Sequence, residues 1–373
     1  MSFHSFIPPR RTLMGPGPSD VYPNVLAAQS RPTLGHLDPL FIGMMDELKT
    51  LLQYAFQTSN PMTLAISAPG SAGMEACFVN LVEPGEKVIV CRNGVFGGRM
   101  LENIKRLGAE AVVVDTPWGR AVELDKVKAA ISAHPDAKFL AFVHAETSTG
   151  ALSDAKALCA MAREAGMLSI VDAVTSLGGV PVKVDEWGID AIYSGSQKCL
   201  SCVPGLSPVS FSPAAVEKIK NRRSPVQSWF LDQSLVMGYW EGAGKRSYHH
   251  TAPVNALYAL HEALVQLHSE GLEQSWQRHR QMHERLAEGL GALGLDFIVP
   301  QGERLPQLNT VTIPQGIDDA AVRATLLNDY NLEIGAGLGD FAGKAWRIGL
   351  MGYGARRENV TLCLAALAEV LNK

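Results

Sequence analysis

An α/β fold is what this chain predicts: a large domain on a mostly parallel sheet, followed by a smaller C-terminal α+β domain. Three observations carry that prediction. Seven short, strand-like segments, most of them apolar throughout, lie between residues 62 and 211, most bounded by Gly, Pro or charge. Amphipathic stretches of helical length separate several of them, and beyond about residue 251 the pattern changes to long helices. Short runs apolar throughout belong to strands buried on both faces, and their alternation with helices puts them in a parallel sheet covered by helices.

Residues 1–20 are rich in Pro and Gly and end in Gly15-Pro16-Gly17-Pro18-Ser19, which excludes helix and central strand and predicts an extended arm. Between 21 and 58, Leu40, Ile42, Met45, Leu48, Leu51 and Leu52 recur at helical spacing. The seven strands are placed at 62–67, 87–91, 109–114, 138–143, 168–171, 191–194 and 208–211. Helices at 96–107, 124–133 and 155–165 alternate with them. Long helices follow at 254–269 and 272–293. A strand at 309–313, a helix at 318–330, a strand at 346–350 and a helix at 358–371 close the chain. The expected division is an arm over 1–20, a large domain over 21–270 and a small domain over 271–373.

Composition removes several function classes. Of 373 residues, 47% are apolar and 19% charged, the balance of an ordinary globular protein with a sizeable core. A formal net charge of −4 gives no general attraction to nucleic acid or to an anionic membrane surface, so an anion site has to be built locally. No apolar run approaches the roughly 20 residues that span a bilayer. The N-terminus carries charge without a following apolar segment, unlike a secretory signal. Six cysteines without regular spacing point to reduced thiols, and the expected location is cytoplasmic.

The chemistry is carried by three strand ends. Ile189-Asp190-Ala191-Ile192-Tyr193 runs into Ser194-Gly195-Ser196-Gln197-Lys198, which puts a lysine just past a buried strand. In a crowded, partly apolar pocket such an amine has a lowered pKa and serves as nucleophile and proton shuttle, whereas most lysines in this position are solvated. Ser169-Ile170-Val171-Asp172 ends another strand on an aspartate, at the sheet edge that faces the ligand crevice of open α/β folds. An N-cap or a salt bridge is the plainer use of such an aspartate. Ser67-Ala68-Pro69-Gly70-Ser71-Ala72-Gly73-Met74-Glu75 is strand, then Gly and Ser, then helix, a geometry that offers free N–H groups to phosphate or is simply a cap. Together the three supply a phosphate cup, a partner for a ring nitrogen and an anchor for an aldehyde, the three grips that pyridoxal phosphate requires.

Other patterns are weaker. Cys199-Leu200-Ser201-Cys202 is a C-x-x-C with no second pair to complete a zinc set. Gly242-Ala243-Gly244-Lys245 lacks the first glycine and the Ser/Thr of a phosphate loop. His249 and His250 read as packing or subunit-contact residues. Gly335-Ala336-Gly337-Leu338-Gly339 lacks the last glycine of a dinucleotide fingerprint and is read as a close backbone approach to the substrate side. The missing fingerprint argues against a nicotinamide dehydrogenase, and with it a non-catalytic α/β binding domain is the rival from another class.

Several collinear motifs give a further indication. Gly15-Pro16-Gly17-Pro18, Phe56-Gln57-Thr58, Asn93-Gly94-Val95-Phe96-Gly97, His144-Ala145-Glu146-Thr147-Ser148-Thr149-Gly150, Ser194 to Lys198, Tyr248-His249-His250-Thr251 and Arg347-Ile348-Gly349-Leu350 together make the chain resemble class V of the fold-type I aminotransferases, in particular the alanine–glyoxylate and serine–pyruvate aminotransferases. The resemblance covers essentially the whole chain. It implies the fold of the pyridoxal-phosphate-dependent transferases of type I, with a mostly parallel seven-stranded sheet. It also implies roles: Lys198 as Schiff-base lysine and proton carrier, Asp172 at the pyridine nitrogen, and Phe96 stacked on the ring where mammalian members carry tryptophan. Thr147 would bond the phenolic oxygen or position Asp172. Gly70, Ser71, Ala72 and Gln197 would hold the phosphate, and Arg347 with Gly17 the substrate. Tyr248 and Thr251 would reach the cofactor of a second copy, making a homodimer with shared sites. The implied reaction moves an amino group from alanine or serine to glyoxylate or pyruvate. (S)-Ureidoglycine–glyoxylate aminotransferase is the near alternative. A cysteine desulfurase is disfavoured, because Phe96 stands where a histidine is needed and Cys363 lies in a helical run.

Overall fold

A computed structural model describes residues 3–240 and 246–372; Gly242 to Lys245 therefore lie outside the described residues. In chain order the strands are β1 (Thr12–Met14), β2 (Met62–Ile66), β3 (Lys87–Arg92), β4 (Glu110–Asp115), β5 (Phe139–Val143), β6 (Ala145–Glu146), β7 (Ala151–Leu152), β8 (Leu168–Asp172), β9 (Ala191–Tyr193), β10 (Ser207–Phe211), β11 (Leu308–Thr312), β12 (Leu332–Ala336) and β13 (Ala345–Gly349). The helices are α1 (Pro23–Gln29), α2 (Pro39–Phe56), α3 (Gly70–Leu81), α4 (Val95–Arg106), α5 (Leu124–Ala133), α6 (Ala155–Glu164), α7 (Val184–Trp187), α8 (Pro213–Lys220), α9 (Gln233–Trp240), α10 (Val254–Glu270), α11 (Leu272–Ala292), α12 (Asp319–Asp329) and α13 (Arg357–Val370).

All seven predicted strands pair in one sheet, in the order β2-β10-β9-β8-β5-β3-β4. Only β10 runs against its neighbours β2 and β9; the pairs from β9 to β4 are parallel. β2, β5 and β10 are buried at every residue, as strands covered on both faces must be, while the edge strand β4 alternates in exposure. Side-chain caps start several helices: Asp154 accepts from Ala157 N at 2.9 Å for α6, and Ser212 from Ala215 N at 3.1 Å for α8.

Two elements depart from the expected pattern. The arm is extended but not free: β1 pairs in parallel with β12, joining a four-stranded sheet of order β1-β12-β13-β11. Met14 accordingly sits in the second apolar core beside Ile334 and Trp346. β12 is not evident from the sequence, because Leu332-Glu333-Ile334-Gly335-Ala336 is short and opens into the glycine-containing run from Gly335 to Gly339. In α2, Met45, Leu48 and Leu52 are buried as their spacing predicts, but Leu40 is 76% exposed. It sits in the first turn on the side away from the core, whereas its neighbour Phe41 is fully buried in it.

The two cores meet along α11, with Leu272 in the large one and Leu286 and Leu290 in the small one. A third cluster of Ala145, Cys199, Leu305, Leu308 and Met351 joins the two sheets. Hydrogen bonds cross the same seam, from Gln307 Nε2 to Thr175 O at 3.1 Å and from Tyr353 N to Ser201 Oγ at 2.6 Å. The carboxyl ends of β2, β5, β8 and β9 open beside this seam. That is where open α/β sheets bind their ligands.

Candidate active site

The three strand-end motifs converge. A Cβ added to Gly70 at the start of α3 would lie 3.3 Å from Val174 Cγ2 and 3.4 Å from the Ser194 carbonyl. The phosphate-cup loop therefore touches both the loop after Asp172 and the loop before Lys198. Among the described residues, the N–H groups of Gly70 and Ser71 have no acceptor, whereas those of Ala72 and Gly73 bond to Pro69 O. Gln197 Oε1 is buried beside them without a partner. Its amide can equally present the nitrogen to an acceptor. Open amides at a helix N-terminus and a buried amide without a partner suit a phosphate group.

Lys198 is 8% exposed, and its amine donates to the carbonyl of Pro16 in the arm. Ser19 fastens the arm to this loop, donating through N to Gln197 O at 2.9 Å and through Oγ to Lys198 O at 2.7 Å. Gly17, with φ +105°, passes so close that a Cβ there would overlap the lysine amine. Burial brings the Lys198 pKa down to about 8; Cys199 and Asp172 oppose the shift and Arg347 adds to it.

Asp172 is buried at the end of β8. Its Oδ2 accepts from the Tyr193 hydroxyl at 2.8 Å and its Oδ1 from Val174 N at 2.8 Å. Tyr193 stands opposite Asp172 in the parallel register of β9 and is fully buried. Desolvation pushes the Asp172 pKa up to about 7, against the pull of these two donors. A cationic N–H is the partner such a carboxyl lacks.

Thr147 departs from one of its two expected uses: its hydroxyl bonds to Thr175, not to Asp172. Its carbonyl accepts from Arg347 Nη1 at 3.1 Å, while Arg347 Nε donates to Ala336 O at 2.7 Å. Arg347 lies in β13 between Thr310 of β11 and Gly335 of β12, 6% exposed, with burial lowering its pKa to about 10. The glycine-rich run after β12 does allow close approach, but to the arm: the Pro16 ring occupies the space over Gly335. Phe96 sits in the first turn of α4, with the Arg99 guanidinium 4.9 Å from its ring centre.

Tyr248 and Thr251 lie outside this group. Both are exposed, Tyr248 by 64%, and their oxygens are 3.4 Å apart. Between them, His249 stacks on Trp229 and His250 bonds Ser67 Oγ at 2.7 Å. Cys199, Cys202 and Cys363 are buried, and burial pushes their thiol pKa values up to about 12. Tyr193, Thr175, Glu146 and the arm residues Pro16 and Ser19 received no role from the sequence. Tyr193 lies in the strand that leads to Lys198, and Glu146 in the motif His144 to Gly150. Their signal was polarity in otherwise buried strand segments.

The model of the aminotransferase class-V family matches residues 19–344. The chain belongs to the class-V aminotransferases. It is 40% identical over 365 residues to the alanine–glyoxylate aminotransferase of Rattus norvegicus, covering 97% of this chain and 88% of the relative. It is 38% identical over 381 residues to the (S)-ureidoglycine–glyoxylate transaminase of Bacillus subtilis, covering 97% and 91%. The crystal structure of an alanine–glyoxylate aminotransferase from Nostoc sp. superposes with a TM-score of 0.97 at 47% identity, covering 100% of this chain and 98% of that one. This aminotransferase therefore has the fold that its strand–helix alternation predicted.

Proposed function

We propose that this aminotransferase moves an amino group from a small neutral amino acid, alanine or serine, to a small 2-oxo acid, glyoxylate or pyruvate, using pyridoxal 5′-phosphate. The observation that carries this reading is Arg347. Among the charged groups of the described residues that act on Lys198, it is the one cation. Its guanidinium is braced on Ala336 and Thr147 carbonyls, which orients it to clamp one carboxylate.

When bound, pyridoxal phosphate supplies the electron sink for the substrate Cα. The open amides of Gly70 and Ser71, with Gln197, would hold its phosphate, Asp172 would serve its ring nitrogen, and Phe96 would support its ring. Lys198, with its pKa near neutrality, takes and returns the Cα proton. Arg347 fixes the substrate carboxylate, and the arm at Pro16 and Gly17 closes the pocket over the amine.

Among the described residues, a second carboxylate in the donor meets no second cation beside Lys198. Arg246 is ion-paired with Asp46 on α2, and Arg99 lies over Phe96 on the exposed side of α4. An unpaired charge buried there costs several kcal/mol. The kcat/KM of alanine or serine is therefore expected to exceed that of glutamate and aspartate by at least about 10²-fold, or roughly 3 kcal/mol. Arg347→Ala is expected to lower kcat/KM for all of them together. A donor panel against glyoxylate and pyruvate is the test, and a dicarboxylate as best donor overturns the reading. (S)-Ureidoglycine belongs on the panel because the Bacillus subtilis relative is almost as similar as the mammalian one.

The working unit is proposed to be a homodimer, with Tyr248 and Thr251 of one copy reaching the phosphate in the other. Their exposure, and the exposed apolar Trp229 and Leu40, support this. Mixing Lys198→Ala chains with Tyr248→Phe, Thr251→Val chains is expected to restore activity to about a quarter of parental, since half of the dimers are hybrids with one intact site. No recovery on mixing refutes the shared site. Six free, buried thiols support a reducing compartment such as the cytoplasm, and no helix among the described residues is long and apolar enough to cross a membrane.

A further inference from the structure

Two helices begin at this pocket, and the protein treats their N-termini in opposite ways. α3 leaves the amides of Gly70 and Ser71 open. At α4 the first three amides are already taken: Val95 N donates to Ser148 Oγ at 3.0 Å, and Phe96 N and Gly97 N donate to Glu146 Oε2 at 3.2 and 3.4 Å. The other oxygen, Glu146 Oε1, accepts from Ser148 N at 3.0 Å and from Ser148 Oγ at 2.6 Å. Four donors thus converge on a carboxylate that is fully buried. The fit leaves no space for a side chain at position 94, where a Cβ would overlap the Glu146 carboxyl and Ser148 Oγ. Water would satisfy those amides at no cost in buried charge, so an internal carboxylate calls for a reason.

We infer that Glu146 is a positioning residue that sets both the ring platform, Phe96, and the carboxylate clamp, Arg347, from one buried carboxylate; this rests on the roles proposed above for those two residues. The link to Phe96 is its own backbone N–H. The link to Arg347 is partly through the chain, because the next residue, Thr147, supplies the carbonyl that accepts from Arg347 Nη1. It is also electrostatic. Glu146 supports the Arg347 cation against desolvation, while Lys198 next to Arg347 faces Asp172 and Cys199. Burial raises the Glu146 carboxyl pKa, while its four donors and the partial positive charge at the N-terminus of α4 oppose that shift and favour the charged form that supports the clamp. One group holds the two surfaces between which the substrate must fit.

Glu146→Gln, Ser148→Ala and Arg347→Ala separate these links. In Glu146→Gln, hydrogen exchange of the Phe96 and Gly97 amides in the cofactor-free protein is expected to quicken by about 10-fold or more. KM for donor and acceptor is expected to rise more than kcat falls. The loss of substrate affinity at alkaline pH should set in at lower pH than in the parent, because Arg347 has lost its counter-charge. Ser148→Ala keeps the carboxylate, so it is expected to quicken exchange at Val95 without moving that alkaline limit. A merely structural role would move stability in both variants and the alkaline limit in neither. Unchanged exchange at Phe96 and Gly97, or an unchanged alkaline limit in Glu146→Gln while Arg347→Ala still raises KM, overturns the inference alone. If Arg347→Ala leaves KM as it was, the clamp reading fails with it. Should Glu146→Gln not fold, Glu146→Asp, which keeps the charge but shortens its reach, is expected to quicken exchange at Phe96 and Gly97, and unchanged exchange there overturns the inference.

Discussion

Lys198→Ala is expected to lower turnover by at least about 10⁴-fold while the protein still folds. In the proposed function this amine both anchors the cofactor aldehyde and carries the Cα proton, so its loss removes two functions at once. Stability is expected to move the other way near neutral pH. Burial has brought this amine from 10.5 down to about 8, so the folded state binds fewer protons here than the unfolded chain between those values. The resulting penalty, on the order of 3 kcal/mol, is fully present below about pH 8 and disappears as pH rises towards 10.5. Part of the relief is offset by lost packing of the lysine stem against Gly17. Cofactor-free Lys198→Ala should therefore be at least as stable as its parent at pH 7, with any advantage shrinking through pH 8 to 10.5. Thermal melts across that range check the sign, and steady-state assays check the loss. Substantial residual turnover would take the anchor role away from Lys198.

Asp172→Asn is expected to lower kcat by about 10²–10³-fold, the usual cost of removing one preorganised charge from a reacting system. A neutral amide no longer holds the ring nitrogen protonated, while phosphate contacts and the lysine remain. The same change should stabilise the cofactor-free protein. With desolvation holding Asp172 near 7 against an ordinary value of 3.8, the folded state binds more protons than the unfolded chain in that interval. The cost of ionising it grows from pH 3.8 to about 7 and stays in full above, on the order of 4 kcal/mol as an upper bound. Asparagine keeps the Val174 contact through Oδ1, meets the Tyr193 oxygen only with the donor reversed, from Nδ2–H, and carries no charge. The gain in melting temperature is therefore expected at pH 8 and expected to vanish near pH 4. Equal melting temperatures at pH 8 would show that Asp172 is not held against its burial, and parental kcat would place the ring-nitrogen contact elsewhere.

Local pattern was enough for much of this molecule. Each strand of the large sheet is a self-contained apolar run, and each covering helix has its own periodic face, so both are legible from a window of about ten residues. Lys198 and Asp172 were legible for the same reason, being polar residues that end buried strands. What local pattern missed is consistently a pairing. β1 is three residues after a Pro-rich arm, and only β12, far along the chain, makes it a strand. Leu40 has the right spacing and yet no core beneath it.

On its own, then, the sequence determined the fold class, the seven strands of the large sheet with several of its helices, and the family motifs, and it named candidate residues for the chemistry. The tertiary structure alone decided which hydroxyl meets Asp172, which residue receives the Thr147 hydroxyl, that the arm closes over Lys198, and that Glu146 holds α4. The physical reason is that burial and periodicity are properties of a segment, whereas a hydrogen-bond partner or a shifted pKa depends on which segments the sheet brings side by side. Tyr193 and Asp172 are 21 residues apart in sequence and 2.8 Å apart through a parallel register that neither strand encodes alone.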